Sequence, residues 1–145
     1  MKRFQFPLDR VRRWRLEQLN VEELKLQKVR ADRELLAEAK RQVREGLAQS
    51  RGDVLAQPAF TGSELENLDS YAIHVRERVR YIEKLEQEAE AKVVEQRTRV
   101  LEARRQFELL DGLRAKALVQ WRAAGDREQE TLAAELYLSK FTRNA

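Results

Sequence analysis

The side chains that most often carry catalysis or bind metal ions are scarce in this chain. His74 is the one histidine, and there is no cysteine, so histidine or thiolate ligands cannot form a metal cluster here. The sequence also lacks a Ser-His-acid arrangement, a glycine-rich phosphate loop and an H-E-x-x-H pattern. We therefore expect no catalytic residue, metal or cofactor, and we interpret His74 as a solvated surface side chain.

Acidic side chains are abundant, but they lie among Arg and Lys at the spacings of a helix surface. Glu83, Glu88 and Glu90 are examples. General acid–base catalysis needs a carboxyl group positioned in a cleft beside the reacting atoms. A bare helical surface offers no such cleft, so we expect these charges to be solvated and the chain not to be an enzyme.

Positive charge is concentrated at the N-terminus. Residues 1–15 contain six Lys or Arg side chains against Asp9 alone, and the remainder of the chain is nearly neutral. A helix that follows a nucleic acid backbone usually has basic side chains along much of its length. The pattern therefore argues against a helix that follows nucleic acid along its length, and a nucleic-acid-binding helix with a basic arm is kept as an alternative.

The composition indicates long helices rather than a thick globular core. Charged residues make up 37% of the chain and aromatic residues only 7%, with a mean hydropathy of −0.72, which leaves little material for a wide core. The sequence contains no run of about 18 apolar residues, which a helix needs to span a bilayer, and no secretory signal is evident. We expect a soluble chain without a transmembrane segment, and the lack of cysteine fits a reducing cytoplasm.

A heptad repeat defines the longer of two predicted helices. Steps of three and four residues from Leu65 place apolar side chains at nearly every position, and a repeat of 3.5 residues is typical of a left-handed coiled coil. We call this stripe the seam. Its three members that are not apolar are Glu86, Gln96 and Arg114. The full set is Leu65, Leu68, Ala72, Val75, Val79, Ile82, Glu86, Ala89, Val93, Gln96, Val100, Ala103, Phe107, Leu110, Arg114, Ala117, Trp121 and Ala124.

Helix one is predicted over about residues 7–50, because Pro7 suits a first helical position. Its seam is more diluted by charge, with Arg15, Arg33 and Lys40 among the apolar members. Those apolar members are Leu8, Leu19, Leu26, Val29, Leu36, Val43 and Leu47. The glycine- and proline-containing segment that follows predicts a turn over about residues 51–62.

Helix two is predicted over about residues 63–124, with Ser63 and Glu66 at the spacing of a capping box. Such a short connection favours antiparallel neighbours within one chain. Leu36 should then lie at the level of Glu77, and Leu8 near Ala103. Helix two would extend beyond helix one from about Phe107, so helix one would not cover Trp121. The chain's own tail or another protein would then have to cover this side chain.

The predicted fold is all-α. It is a long antiparallel two-helix coiled coil, or helical hairpin, forming a single domain over residues 1–145. A short C-terminal helical segment over about residues 126–142 either continues helix two or folds back. A structural homodimer, in which the heptads pair between chains, is the alternative architecture.

The opening FQFPLDRVRRWRLEQLNVEELKLQK resembles the start of the flagellar export protein FliJ family. That family typically begins with a Phe-x-Phe-x-Leu pattern, an aliphatic position and a basic segment, and Phe4, Phe6, Leu8 and Val11 match it. Similarity also covers the length of the chain, the plan of two long helices and the segment LDSYAIHVRERVRYIEKLEQEAEAKVVEQRTRVLEARRQFELLDGL.

The resemblance implies a cytoplasmic stalk or adaptor of the type III protein export apparatus, at the inner-membrane face of the flagellar base. Its implied partners are the export ATPase hexamer, the export gate protein FlhA and export chaperones, with the chain as a monomer in that assembly. A virulence secretion stalk is the alternative. Contacts with the ATPase would come from Phe4, Phe6, Arg10, Arg12 and Arg13, with the arginines exposed. Contacts with the gate would come from Tyr71, Val75, Val43 and Leu47.

Overall fold

A computed structural model describes residues 2–144, and these form two α-helices and no strand. Helix α1 comprises Asp9–Leu55 and helix α2 comprises Gly62–Arg143. The helices pack against each other in antiparallel orientation, so the predicted all-α helical hairpin is confirmed. Across residues 2–144, neither helix combines the length and the apolar character that a bilayer crossing requires.

Helix α1 begins two residues later and ends five residues later than predicted. At its start, the backbone N–H of Asp9 donates to the carbonyl oxygen of Phe6 at 3.0 Å, and the Asp9 carboxylate suits the positive end of the helix dipole. At its end, residues 51–55, which were predicted as the beginning of the turn, are helical. Val54 continues the heptad and is half-buried, which helps to offset the cost of about 1 kcal/mol for Gly52 in a helix.

The capping box of helix α2 lies two residues before the predicted one. Thr61 and Glu64 form it: the backbone N–H of Glu64 donates to Thr61 Oγ1 at 3.2 Å, and that of Thr61 donates to Glu64 Oε2 at 3.3 Å. Thr61 and Glu64 have the same spacing as Ser63 and Glu66. The prediction of Ser63 and Glu66 as the cap was therefore wrong in position, although the motif was right.

Helix α2 runs without a break through Gly112, Gly125 and Asp126. The predicted end of helix two near residue 124 was therefore wrong, and residues 126–142 continue the helix instead of folding back. Glycine inside a helix costs about 1 kcal/mol relative to alanine. Extending an existing helix adds a hydrogen bond for each residue fixed, so isolated glycines do not end it.

Burial confirms the predicted seam of helix α2 from Leu68 to Trp121. Every predicted position in this range is buried or half-buried, whereas Leu65 and Ala124, at the two ends, are exposed. The predicted seam of helix α1 is also buried or half-buried, except for Leu8. Because these apolar side chains already pack within one chain, the same heptads are not free to pair two chains along the seam.

Each of the three seam positions of helix α2 that are not apolar meets a polar partner on helix α1. Glu86 Oε1 lies 2.9 Å from Lys40 Nζ as an ion pair. Gln96, which is buried, donates through Nε2 to the carbonyl oxygen of Glu22 at 3.0 Å and also to the Glu22 carboxylate. Arg114 Nε lies 4.0 Å from Asp9 Oδ1.

The chain divides into two compact units, each built from parts of both helices. The first unit contains the chain up to Asn20 and from Leu101 onward, and the second contains Val21–Val100. Both helices contribute seam residues to each unit.

The alignment of the two helices differs from the prediction in both units. In the second unit Leu36 shares a groove with Leu85 and Ala89, so its predicted position level with Glu77 was wrong. In the first unit Arg12 reaches Asp111 and Arg15 reaches Gln106, which excludes a position of Leu8 near Ala103. Helix α1 extends through Leu55, which moves the turn toward the C-terminus and accounts for part of this difference.

Replacing Val93 by Asp is expected to destabilise the second unit strongly. Val93 is 2% exposed, so the substitution buries a carboxylate without a partner, which costs about 3 kcal/mol or more. Val94→Asp is the matched control, because Val94 is 55% exposed and surface changes cost about 0.5 kcal/mol. Thermal melting, monitored by circular dichroism, would contradict the register if both variants had the same melting temperature.

Candidate partner-binding surfaces

The N-terminal segment packs against helix α2 and covers Trp121. We call residues 2–7 the N-terminal strap. The indole Nε1–H of Trp121 donates to the carbonyl oxygen of Lys2 at 3.2 Å, and the Phe4 ring meets Trp121 edge to face with centroids 5.8 Å apart. Trp121 is therefore half-buried under the start of the chain, whereas the sequence predicted a cover formed by the C-terminal tail or another protein.

Phe4 and Phe6, two of the predicted ATPase contacts, are both half-buried. The Arg114 guanidinium lies 5.8 Å from the centre of the Phe4 ring, in the range of a cation–π contact. The carbonyl oxygen of Phe6 accepts the hydrogen bond from the first residue of helix α1. Phe4 thus packs against helix α2 through its ring, Phe6 joins the strap to helix α1 through its backbone, and both residues stay partly accessible.

Arg12 differs from its predicted role as an exposed partner contact. Its side chain is only 19% exposed, with Nε 3.1 Å from Asp9 Oδ1 and a terminal nitrogen 3.3 Å from Asp111 Oδ1. Its guanidinium also lies 5.9 Å from the centre of the Phe107 ring. Arg12 occupies a seam position of helix α1, so these contacts engage it within the first unit.

Arg10 and Arg13 lie at the surface as predicted. Arg13 Nε is 3.0 Å from Asp9 Oδ2, yet its side chain remains 67% exposed. Together with Trp14 and Glu17 they line a shallow hollow. We call Arg10, Arg13 and Trp14 the basic surface.

Trp14 is a candidate contact residue that was absent from the predicted set. About half of its surface is exposed, and the Arg15 guanidinium lies 4.7 Å from the centre of its ring. Trp14 lies one residue before Arg15, a seam member, and therefore falls off the seam. That heptad position was the signal in the sequence that could have identified it as an exposed aromatic.

Asp9 is the acidic centre of this part of the first unit. A hydrogen bond from Arg12 lowers the pKa of its carboxyl group below the ordinary value of 3.8, and the charges of Arg13, Arg12 and Arg114 lower it further, against an opposing effect of burial. The ionised carboxylate thus links the first turn of helix α1 to Arg114 on helix α2.

The predicted gate-binding residues are gathered in the second unit, but they differ in accessibility. Tyr71 is 39% exposed, whereas Val75 is 4% exposed and belongs to the seam. Val43 and Leu47 on helix α1 are half-buried. Of this set, Tyr71 has the largest surface to offer a partner, and Val75 has almost none.

Tyr71 lies across helix α1 at a glycine. A Cβ atom at Gly46 would approach the Tyr71 hydroxyl oxygen to 3.3 Å, so the missing side chain gives the tyrosine room to lie there. Ile73, which the sequence reasoning missed, is also about half exposed, and His74 is exposed. Because side chains two residues apart on a helix do not share a face, Ile73 lies on the other flank of the seam, and we call the exposed side of Tyr71 the tyrosine surface.

No group of three or more His, Cys, Asp or Glu side chains in residues 2–144 is arranged to hold a metal ion. Comparison of the chain with models of known protein families, with curated proteins and with solved structures finds no match. The basic surface and the tyrosine surface are therefore the features from which a function can be argued.

Acidification is expected to lower the folding stability of the parent protein more than that of an Asp9→Asn variant. Because the pKa of Asp9 is lowered in the folded chain, its ionised form stabilises the fold above the ordinary pKa, and this contribution is lost as pH falls through the lowered value. Asn keeps the shape but carries no charge. Melting curves of the two proteins at pH 7 and near pH 3 should therefore converge at the lower pH.

Asp53→Asn is the control for this experiment, because Asp53 is an exposed carboxylate on the same helix. Its difference from the parent protein should be small at both pH values. A constant difference between parent and Asp9→Asn from pH 7 to pH 3 would contradict the proposed role of the Asp9 charge.

Proposed function

We propose that this chain is a stalk or adaptor protein of the flagellar type III export apparatus, with no catalytic residues of its own. It links the export ATPase hexamer to the export gate protein FlhA, and it assists the delivery of substrates or their chaperones. In this proposal it acts as a monomer within the assembly, at the cytoplasmic face of the inner membrane. The resemblance of the opening residues to the FliJ family supplies these partner identities.

The observation that carries the proposal is the presence of two exposed surfaces with different chemistry in separate units. The basic surface combines arginine and tryptophan in the first unit, and the tyrosine surface presents an aromatic side chain in the second. Tyr, Trp and Arg are the residues most enriched among energetically dominant interface contacts. Two such surfaces on a helical hairpin suit a protein that joins two partners.

The N-terminal strap supports assignment of the ATPase contact to the first unit. Of the residues in the pattern shared with the FliJ family, Phe4 holds the strap on helix α2 beside Trp121, and Phe6 joins the strap to helix α1. The beginning of helix α1, with Arg10 and Arg13, is thereby fixed relative to helix α2 in that unit. A partner would meet an ordered basic surface and would not have to order it on binding, which favours affinity.

Reversing the charge of the basic surface should weaken ATPase binding and leave the fold intact. Arg10→Glu with Arg13→Glu changes two exposed side chains and spares Arg12, whose side chain is engaged within the unit. Charges at the rim of an interface chiefly steer association and set its salt dependence. We expect affinity for the purified ATPase hexamer to fall by roughly tenfold, since two favourable contacts become repulsive.

Arg76→Glu with Arg80→Glu is the matched control, because it makes the same charge change at exposed positions in the second unit. It should retain ATPase binding. Equal affinity of the Arg10 and Arg13 variant and the parent protein at low ionic strength would rule out the basic surface as the ATPase contact.

Tyr71→Ala should weaken binding to the cytoplasmic domain of the gate protein and leave ATPase binding unchanged. A tyrosine anchor at an interface contributes about 2 kcal/mol or more, which corresponds to roughly a thirtyfold change in affinity. Tyr81→Ala is the control, because Tyr81 is also exposed on helix α2 in the same unit. Calorimetric titration would contradict the assignment if the two variants bound the gate domain equally well.

A further inference from the structure

Helix α1 carries a second stripe of heptad spacing on the side away from the seam. We call its five members the outer stripe. They follow one another in steps of three, four, three and four residues, and they are Val21, Leu24, Lys28, Ala31 and Leu35. Since an α-helix turns by about 100° per residue, all five lie within an arc of about 80° on one face of the helix.

The outer stripe is open to solvent in the second unit. All five of its members are exposed, and Leu24 and Leu35 each present about two thirds of their surface, at 65% and 68%. Single exposed leucines are ordinary, but four apolar residues in heptad steps are the pattern with which one helix packs along another. The outer stripe therefore fits a third helix that this chain does not itself supply along that face.

The charges on and beside the outer stripe are separated into two halves. Lys25 and Lys28 belong to its first half, whereas Asp32 and Glu34 belong to its second half, and all four are exposed. Lys25 and Asp32 are seven residues apart, almost two full turns, so they lie on the same flank of the stripe. Lys25 Nζ is 3.6 Å from Glu22 Oε1, yet its side chain is 55% exposed and remains within reach of a partner.

This separation of charge matches a second copy of the same face in antiparallel orientation. When the two stripes run antiparallel about a twofold axis, the basic half of each lies against the acidic half of the other. Leu24 then faces Leu35 of the other copy, and Lys25 lies beside Asp32 on the flank. Complementary charges of this kind fix the register and orientation of an interface.

Lys28, the one charged member of the outer stripe, also favours the antiparallel orientation. It faces Ala31 of the other copy, the smallest side chain of the stripe, and its aliphatic stem can cover this alanine while the ammonium group stays in water. A parallel pair in register would instead place Lys28 against Lys28, and like charges repel each other.

We propose that two copies of this chain associate through the outer stripe of helix α1 in an antiparallel, twofold-symmetric contact. The Leu24–Leu35 and Lys25–Asp32 contacts are each made twice, because a twofold interface repeats every interaction. The contact covers only about four turns of each helix, so the association is weak and depends on concentration. It leaves the seam of each chain intact, and it does not depend on the adaptor role proposed above.

Analytical ultracentrifugation of the full chain over a range of concentrations tests the proposal. The parent protein should shift from monomer toward dimer as concentration rises, and Leu24→Glu should remain monomeric where the parent is mostly dimeric. Leu55→Glu is the matched control, because Leu55 is also 65% exposed on helix α1 but lies outside the outer stripe. It should dimerise as the parent does, and circular dichroism should show both variants as helical as the parent.

Charge reversal tests the orientation. Lys25→Glu and Asp32→Lys should each weaken self-association by roughly tenfold, because both symmetry-related contacts become repulsive. The double variant should regain the parent's behaviour, since each contact is restored with its charges exchanged. In an equimolar mixture of the two single variants, both contacts of the mixed pair are attractive, so a tag on one variant should recover the other.

Three results would overturn the proposal. The first is a parent protein that remains monomeric at all concentrations, which would mean that no second copy covers the outer stripe. The second is dimerisation of Leu24→Glu with the parent's affinity, which would place the contact elsewhere. The third is failure of the double charge reversal to restore association while it remains helical, which would exclude the antiparallel pairing.

Discussion

The structure depends on a narrow seam between two helices whose polar positions must be matched. Gln96 is buried and has its amide satisfied by Glu22, and Glu86 faces Lys40. A buried polar group without a partner costs more than a matched pair contributes. If helix α1 slid by one heptad, apolar side chains would still meet apolar side chains, but Gln96 would lose Glu22. The polar positions therefore fix an alignment that the apolar heptads alone would leave ambiguous.

The seam also decides which side chains remain for partners. Because a heptad buries only two of every seven positions, most side chains of each helix face solvent, and an aromatic residue one position away from the seam stays accessible. Tyr71 and Trp14 are in that situation, whereas Val75 and Arg12 lie on the seam and are used within the chain. Partners can therefore reach only the positions outside the seam and the ends of the helices.

The first unit shows how the chain covers the part of helix α2 that lies beyond helix α1. The N-terminal strap, which is not helical, continues the coverage, and its Phe4 ring meets Trp121. Arg114 on helix α2 contacts both the Phe4 ring of the strap and the carboxylate of Asp9, the first residue of helix α1. Beyond Gly125 this coverage ends, and residues 126–144 are exposed.

The sequence by itself determined the fold class, the two helices and the seam from Leu68 to Trp121, because heptad periodicity is local and repeats many times. Only the tertiary structure decided the alignment, the helix ends and the cover over Trp121. Those features depend on pairs distant in sequence, such as Glu22 with Gln96 and Lys2 with Trp121. The sequence contains two capping patterns at the start of helix α2 and several glycines that could each end a helix, and these local signals are of equal strength. Packing between the helices determined where each helix begins and ends.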